Sequence, residues 1–333
     1  MFAILRADMS ETFRIGILSD IHYASAAEQA RGNDYEYHSI KNPIRRAAIS
    51  AFMHFAWMQN PLGQNHLLDK FLSESGALDF VVANGDYSCN SMFVGVGDDA
   101  ARESARQCLT KLREKFPNRF QATFGDHELG KLSTFTGQGG MRLESWRRAI
   151  GDLQLEPFWR VELGKYVLMG IVSSLVALPV FEPDMLPEER ADWEKLRGAH
   201  LQEIRNAFAG LKSDQRVLLF CHDPTALPFL GRDEIVRSKI CQIEQTIIGH
   251  LHSNLVLWKS RLLAGLPTIH FLGNAGRRMS TALGQAKEWK PFHVRLCPAL
   301  AGIELLKDGG YLTAELAADA SRPARFEFHR IKR

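Results

Sequence analysis

Carboxylate and imidazole side chains recur along this chain at the points where short apolar runs end. They are Asp20, His22, Asp86, Asp126, His127, His222, His250 and His252. In the two His-containing triplets that begin at Asp20 and His250, alternate side chains share one side of an extended segment, so each triplet offers two groups to one site. Mixed oxygen and nitrogen ligands suit Mn²⁺, Fe²⁺, Zn²⁺ or Co²⁺ better than Ca²⁺. The residue types therefore predict a transition-metal site.

The apolar runs that carry these residues are short and do not alternate with polar positions. They cover 14–19, 80–83, 120–124, 217–221 and 245–248. Runs of this kind are typical of strands buried on both faces. Amphipathic segments that end near Phe116 and Leu211 fall between them, and a strand–helix–strand order favours a largely parallel sheet. Ligands of such sheets bind beyond the carboxyl ends of the strands, where every polar group named above lies.

The end of the chain has a different pattern. Short strand-like pieces at 302–306, 311–316 and 325–329 are separated by turn residues such as Gly309-Gly310. They predict an antiparallel C-terminal addition at about 302–333.

The order of the polar residues resembles that of the calcineurin-like metallophosphoesterases, whose signatures run D-x-H, G-D, G-N-H-E/D, H and G-H-x-H. The corresponding segments here are Asp20-Ile21-His22, Gly85-Asp86, Gly125-Asp126-His127-Glu128, His222 and Gly249-His250-Leu251-His252. The resemblance implies a four-layer α/β/β/α sandwich, with 1–333 as one domain. It implies that the ligands of one metal are Asp20, His22 and His252, and those of the other are Asp126, His222 and His250. Asp86 would bridge the two metals.

By the same resemblance, Asp86 and His127 carry the catalysis, with His127 as the general acid or at least a phosphate contact. Two cations about 3.5–4 Å apart can polarise a phosphoryl oxygen and bring the pKa of a bridging water close to neutrality. The hydroxide then attacks phosphorus, and no covalent intermediate is needed. Manganese is the favoured metal, with iron, zinc, cobalt or magnesium as alternatives. The expected protein is a hydrolase of phosphomonoester, phosphodiester or pyrophosphate bonds.

One position departs from the family pattern, because Asp126 stands where the family usually has asparagine. Two divalent ions and two carboxylates leave a site charge of about +2, and a third carboxylate reduces it to about +1. The substitution therefore predicts tighter metal binding and a less acidic bridging water.

The segment at about 24–60 is longer than a strand-to-helix loop requires and contains an apolar insert. Its part at 41–58 has three basic residues and no acid, and apolar side chains occupy most sides of the helix that it predicts. Such a helix either packs into the core or contacts something else. The second alternative is a lid, or a hydrophobic dock for a lipid substrate at a membrane surface. The UDP-2,3-diacylglucosamine pyrophosphohydrolases of this family also combine the metal cluster with an apolar insert, so a lipid-nucleotide substrate is an alternative.

Composition excludes several other classes. A formal net charge of +3 on 333 residues gives no bias towards nucleic acid, so we expect neither a nuclease nor a nucleic-acid partner. The five cysteines have irregular spacing without a CxxC pair, which predicts small buried thiols in a reducing compartment. The first residues do not resemble a signal peptide, and no stretch has the roughly 18 apolar residues of a membrane span. We therefore expect a cytoplasmic location, with peripheral contact at the inner membrane left open.

Two alternatives remain at the level of the sequence. Asn274, Arg277 and Arg278 follow an apolar run at 268–272 and are candidate substrate contacts, since arginine forks match phosphate oxygens. A plain turn followed by a solvated arginine pair is the simpler interpretation. A non-catalytic scaffold with the same fold is the rival from another class, but every ligand position here has a competent side chain. Nothing in the sequence indicates the oligomeric state.

Overall fold

Eleven strands in the described part of the chain form the centre of the molecule. The computed structural model describes residues 3–5, 12–89, 93–262 and 284–333. The strands are β1 Ala3–Leu5, β2 Thr12–Leu18, β3 Phe80–Asn84, β4 Phe120–Thr123, β5 Phe158–Leu163, β6 Tyr166–Ile171, β7 Arg216–Cys221, β8 Ile243–Ile248, β9 Val294–Leu296, β10 Gly310–Ala317 and β11 Arg325–Arg330. The runs predicted around 14–19, 80–83, 120–124, 217–221 and 245–248 are thereby confirmed as strands.

Helices connect these strands. They are α1 Ala26–Gln29, α2 Pro43–Phe52, α3 Asn65–Glu74, α4 Asp99–Lys115, α5 Asp126–Leu129, α6 Leu143–Gly151, α7 Ser173–Val176, α8 Leu178–Phe181, α9 Arg190–Ala209, α10 Leu227–Arg232, α11 Glu234–Ser238 and α12 Asn254–Leu262. Helix α2 continues directly into a π-helical turn, Met53–Trp57. Helix α4 begins where the Asp98 carboxylate accepts the N–H groups of Ala100 and Ala101.

The strands belong to two mixed sheets. One has the order β1-β5-β6-β7-β8-β9, and the other has the order β11-β10-β2-β3-β4. Parallel pairs link β2, β3 and β4 in the second sheet and β6, β7, β8 and β9 in the first. Strand β10 runs antiparallel to both β2 and β11. The carboxyl ends of the central parallel strands are therefore available to position loops on one edge of each sheet.

The two sheets face each other. Ile15 and Ile17 of β2 share one hydrophobic cluster with Leu218 and Phe220 of β7, whereas alternate residues of the same strands, such as Leu219, belong to a second cluster that includes the helices. Alternate side chains point to opposite faces of a strand. Each sheet therefore packs one face on the other sheet and one face on helices, which is the four-layer α/β/β/α sandwich.

Three expectations need correction. Residues 302–306 form irregular structure and a turn rather than a strand, although β10 and β11 follow as an antiparallel pair. Cys241 is exposed, so the expectation that all five thiols are buried is wrong for this one. Helix α2 has no buried residue, so the core-packed alternative is wrong for this helix, although Met58 beyond it lies in the core. The division into one domain with an insert at 24–60 and a C-terminal addition stays a prediction.

Within the described residues, we find no helix that combines the length and the apolar character needed to cross a bilayer.

Candidate metal centre

The eight polar residues singled out from the sequence follow strands of both sheets. Asp20 and His22 follow β2, Asp86 follows β3, Asp126 and His127 begin α5 after β4, His222 follows β7, and His250 and His252 follow β8. Backbone hydrogen bonds tie these loops together. The N–H of Asp20 donates to Gly85 O at 3.1 Å, and that of His250 donates to both Asp20 carboxylate oxygens at 3.1 Å. The site therefore bridges the carboxyl edges of the two sheets.

Seven of these residues converge in two groups that share one carboxylate. In each group, one potential ligand atom from every residue lies within 4.8 Å of the others. The first group contains Asp20, His22, Asp86 and His252, and the second contains Asp86, Asp126, His222 and His250. Only the His250 residue is partly exposed in these groups, and the others are buried.

Close contacts within the groups bring several potential ligand atoms to one place. The Nε2 atoms of His22 and His252 lie 3.3 Å apart, and His252 Nε2 lies 3.3 Å from Asp20 Oδ1. In the second group His222 Nε2 lies 3.2 Å from Asp86 Oδ2 and 3.3 Å from Asp126 Oδ1. Nitrogen and oxygen lone pairs that point at one small volume are the donor set of a cation site.

Backbone carbonyls set the orientation of two rings. His22 Nδ1 lies 3.1 Å from Ser88 O, and His222 Nδ1 lies 2.5 Å from Asn84 O. Because a carbonyl oxygen only accepts, Nδ1 carries the hydrogen in both rings, and in the neutral ring Nε2 keeps its lone pair towards the site. Metal-ligating histidines are usually held in this way.

Two atoms at the middle of the second group support a fit to a metal. Asp86 Oδ2 and His222 Nε2 are buried and have no hydrogen-bond partner of ordinary geometry among the described residues. Asp86 Oδ1, by contrast, accepts the His127 backbone N–H at 3.0 Å. A buried polar atom without a partner is costly, and a cation between the two atoms would remove that cost.

The backbone is strained at the same positions. Ten non-glycine residues in the described part of the chain have positive φ, and five of them are Asp20, His22, Asp86, His250 and His252, with φ between 49° and 60°. This region is unfavourable for residues with a Cβ atom and persists where surrounding structure enforces it. The strain is concentrated on the candidate ligands, which is typical of a functional site.

A glycine of the last motif allows the close approach of these loops. A Cβ atom on Gly249 would overlap Ser19 Oγ and lie 2.6 Å from Asp20 Oδ2. Glycine here therefore has a packing reason: the loop after β8 must touch the loop after β2.

Charges inside the centre shift the pKa values of its members. Burial and the Asp126 carboxylate act to raise the pKa of Asp86, but the His127 and His222 imidazoles together hold it below its usual value. Burial, opposed by Asp86, lowers the pKa of His127 to about 3. The His127 ring is therefore neutral at neutral pH in the ligand-free protein.

Sequence reasoning missed two neighbours of the centre, Lys131 and Asp223, whereas a third, Trp57, lies in the insert for which a lid was one alternative. Lys131 Nζ lies 2.5 Å from Asp126 Oδ2, Asp223 Oδ2 lies 3.9 Å from His250 Nε2, and the ring of Trp57 lies 4.8 Å from that of His252. Their signals were weak, since Lys131 follows the third motif without belonging to it and Asp223 simply adjoins His222. Asn274, Arg277 and Arg278 lie outside the described residues.

Comparison with known proteins agrees with this geometry. The profile of the calcineurin-like phosphoesterase family matches residues 13–254. This chain belongs to the calcineurin-like phosphoesterase family. Among solved structures, it is similar to a purple acid phosphatase from yellow lupin (Lupinus luteus) seeds, with 12% identity and a TM-score of 0.36. The match covers 73% of this chain and 38% of the phosphatase. No curated protein matches the chain.

Proposed function

We propose that this protein is a two-metal phosphoesterase that hydrolyses a phosphoester or pyrophosphate bond of a phosphorylated small molecule. The observation that carries the proposal is the pair of ligand groups that share Asp86. The proposed ligands are Asp20, His22 and His252 for one ion, Asp126, His222 and His250 for the other, and Asp86 for both. Manganese is the first choice, and iron, zinc, cobalt and magnesium are alternatives.

Two bound cations would supply positive charge to the phosphoryl group and an acidified water as nucleophile. The residues of the chain hold and orient these parts. Asp86 has one oxygen tied to the His127 N–H and the other directed at the centre, so its bridging position is preorganised. No serine or cysteine is needed as a nucleophile.

His127 is proposed as a phosphate contact and general acid. Its ring is buried and lies 4.9 Å from the ring of His22. Although burial lowers its pKa to about 3, a neutral imidazole still donates one N–H to a phosphoryl oxygen. An anionic substrate beside the ring favours its protonated form, which can then transfer a proton to the leaving oxygen.

The test is hydrolysis by metal-depleted protein that is refilled with Mn²⁺. Bis(p-nitrophenyl) phosphate reports diesterase activity and p-nitrophenyl phosphate reports monoesterase activity. We expect Mn²⁺ to restore turnover in the wild type and Asp86→Ala to abolish it. Asp192→Ala, which changes an exposed aspartate on α9, is the matched control and keeps full activity.

Failure has two distinct forms. Bound metal without turnover of either ester would indicate an enzyme whose substrate specificity excludes these two esters. If folded wild-type protein neither binds metal nor hydrolyses either ester, the proposal is refuted and the non-catalytic scaffold is supported.

A second candidate is favoured by the insert: a substrate with a lipid portion at an anionic membrane surface. We define the insert surface as the exposed apolar side chains of Ile44, Phe52, Phe55, Leu305 and Leu306. The insert and the turn at 304–306 are joined by a backbone hydrogen bond, in which Leu305 N donates to Ala56 O at 3.2 Å. The surface lies next to the candidate metal centre through the contact of Trp57 with His252.

Charge supports the same candidate. Lys41, Arg45 and Arg46 are exposed beside Ile44, and no acidic residue occurs at 41–58. Basic and aromatic side chains on one helix suit the interface of an anionic bilayer. A protein that binds there would act at the inner membrane, on a lipid nucleotide among other amphiphiles.

Vesicle co-sedimentation tests this candidate. We expect binding to vesicles with anionic phosphatidylglycerol, and about a tenfold loss with Phe52→Glu/Phe55→Glu. Ile235→Glu, an exposed apolar position on α11, is the control. The wild type could instead fail to bind vesicles and form dimers that the double substitution disrupts. That result would show that the insert surface serves self-association.

A further inference from the structure

The third carboxylate of the centre has a partner that its motif does not contain. The Asp126 Oδ2 atom lies 2.5 Å from Lys131 Nζ, while Asp126 Oδ1 lies 3.0 Å from His250 Nδ1. One oxygen therefore faces the candidate metal ligands and the other faces an ammonium group. The side chains are 3% and 12% exposed, so the ion pair is largely shielded from water.

The local backbone explains how the lysine reaches this position. Helix α5 is a single turn, Asp126–Leu129, and it ends at Gly130 with φ of 88°. A Cβ atom on Gly130 would lie 2.6 Å from Gly140 O. Only glycine fits this tight reversal without strain, and the reversal returns Lys131 towards the start of the same helix.

The pair changes the charge expected from the sequence. With Asp126 alone, two divalent ions and three carboxylates leave about +1, but the lysine ammonium restores about +2. Tighter metal binding was expected because the Asp126 carboxylate was counted without the Lys131 ammonium group that offsets its charge. Opposite charges this close in a shielded site act on the metals nearly as one dipole.

We propose that Asp126 and Lys131 act as one charge-balanced unit of the metal centre, in which the lysine offsets the third carboxylate and sets the affinity for the neighbouring ion. This inference rests on the proposed two-metal function. Lys131 is a positioning residue here, since it acts on the metal through Asp126. Removing Lys131 alone takes this counter-charge away from a shielded carboxylate, so Lys131→Met should disturb the site more than the double substitution does.

The experiment is a double-mutant cycle measured by calorimetric titration of metal-depleted protein with Mn²⁺. Asp126→Asn removes a carboxylate that faces the candidate ligands and keeps the Lys131 charge nearby, and we expect about a tenfold or greater loss of affinity. Lys131→Met leaves an unbalanced carboxylate, and we expect affinity to rise by about threefold to tenfold. The double variant should return to within about threefold of the wild type.

A second readout needs no metal. The melting temperature of the metal-free protein should fall for Lys131→Met and recover with the added Asp126→Asn, because the buried carboxylate is then gone. Lys131→Arg keeps the charge and should retain wild-type Mn²⁺ affinity. If Lys131→Met folds poorly, this conservative variant still tests whether the charge at position 131 sets the affinity. Lys195→Met, at an exposed lysine on α9, is the matched control.

The outcomes separate the two proposals. Wild type that binds two ions, with Lys131→Met unchanged in both Mn²⁺ affinity and metal-free melting temperature, would overturn the charge-balanced unit and leave the two-metal function standing. Folded wild type that binds no Mn²⁺ would overturn both. Opposite changes in the Mn²⁺ affinity of the two single variants, together with recovered melting of the double variant, support the unit.

Discussion

Replacing Glu128 with alanine removes the side chain that ties two motifs of the metal centre together. Its carboxylate accepts the backbone N–H groups of Gly125 at 2.7 Å, Asp86 at 3.1 Å and Tyr87 at 2.9 Å. Glu128 is fully buried, so water does not readily replace it. At about 1 kcal/mol for each hydrogen bond, the loss is about 3 kcal/mol of unfolding free energy.

That loss corresponds to a fall of about 6 °C in melting temperature, at about 2 °C per kcal/mol for a chain of this size. Mn²⁺ affinity should also fall by about tenfold or more, because groups that orient metal ligands typically contribute that much. Scanning calorimetry and metal titration measure the two effects. Glu128→Gln keeps one acceptor oxygen and should lose less stability, while Glu114→Ala, at an exposed position on α4, is the control. A melting temperature within about 1 °C of wild type for Glu128→Ala would refute the reasoning.

Three further predictions follow from single positions. Gly249→Ala should cost about 1–3 kcal/mol and weaken Mn²⁺ binding, since its Cβ atom overlaps Ser19 Oγ; unchanged urea unfolding and titration would contradict this. Burial lowers the pKa of His200, which accepts the Val172 N–H at 3.0 Å, so the unfolded chain gains a proton first as pH falls below about 6.5. Stability should therefore decline below that pH by up to about 1.4 kcal/mol per unit, and less so in His200→Gln; equal pH slopes would exclude it. The exposed thiol of Cys241 should react with Ellman's reagent in native protein, a reaction that Cys241→Ser should remove, whereas the other cysteines should need denaturant.

The candidate ligands were accessible to sequence reasoning because each follows a strand. The runs that precede Asp20, Asp86 and His222 are apolar without alternation, and strands β2, β3 and β7 are buried on both faces as this pattern predicts. Parallel strands end at one edge of a sheet, so motif order along the chain translates into proximity. The hairpin of β5 and β6 was not predicted, since β5 alternates between buried and half-buried positions and carries no motif.

The sequence by itself determined the metallophosphoesterase motifs, the strands that carry them and the types of atom available to a metal, since these depend on residue identity and local periodicity. Only the tertiary structure decided which charges meet. The Lys131 ammonium group beside Asp126, the Glu128 carboxylate between Gly125 and Asp86, and the Trp57 ring beside His252 all come from loop paths that no local pattern specifies. Electrostatic and packing energies depend on distance in space, and distant segments acquire those distances only when the two sheets close on each other.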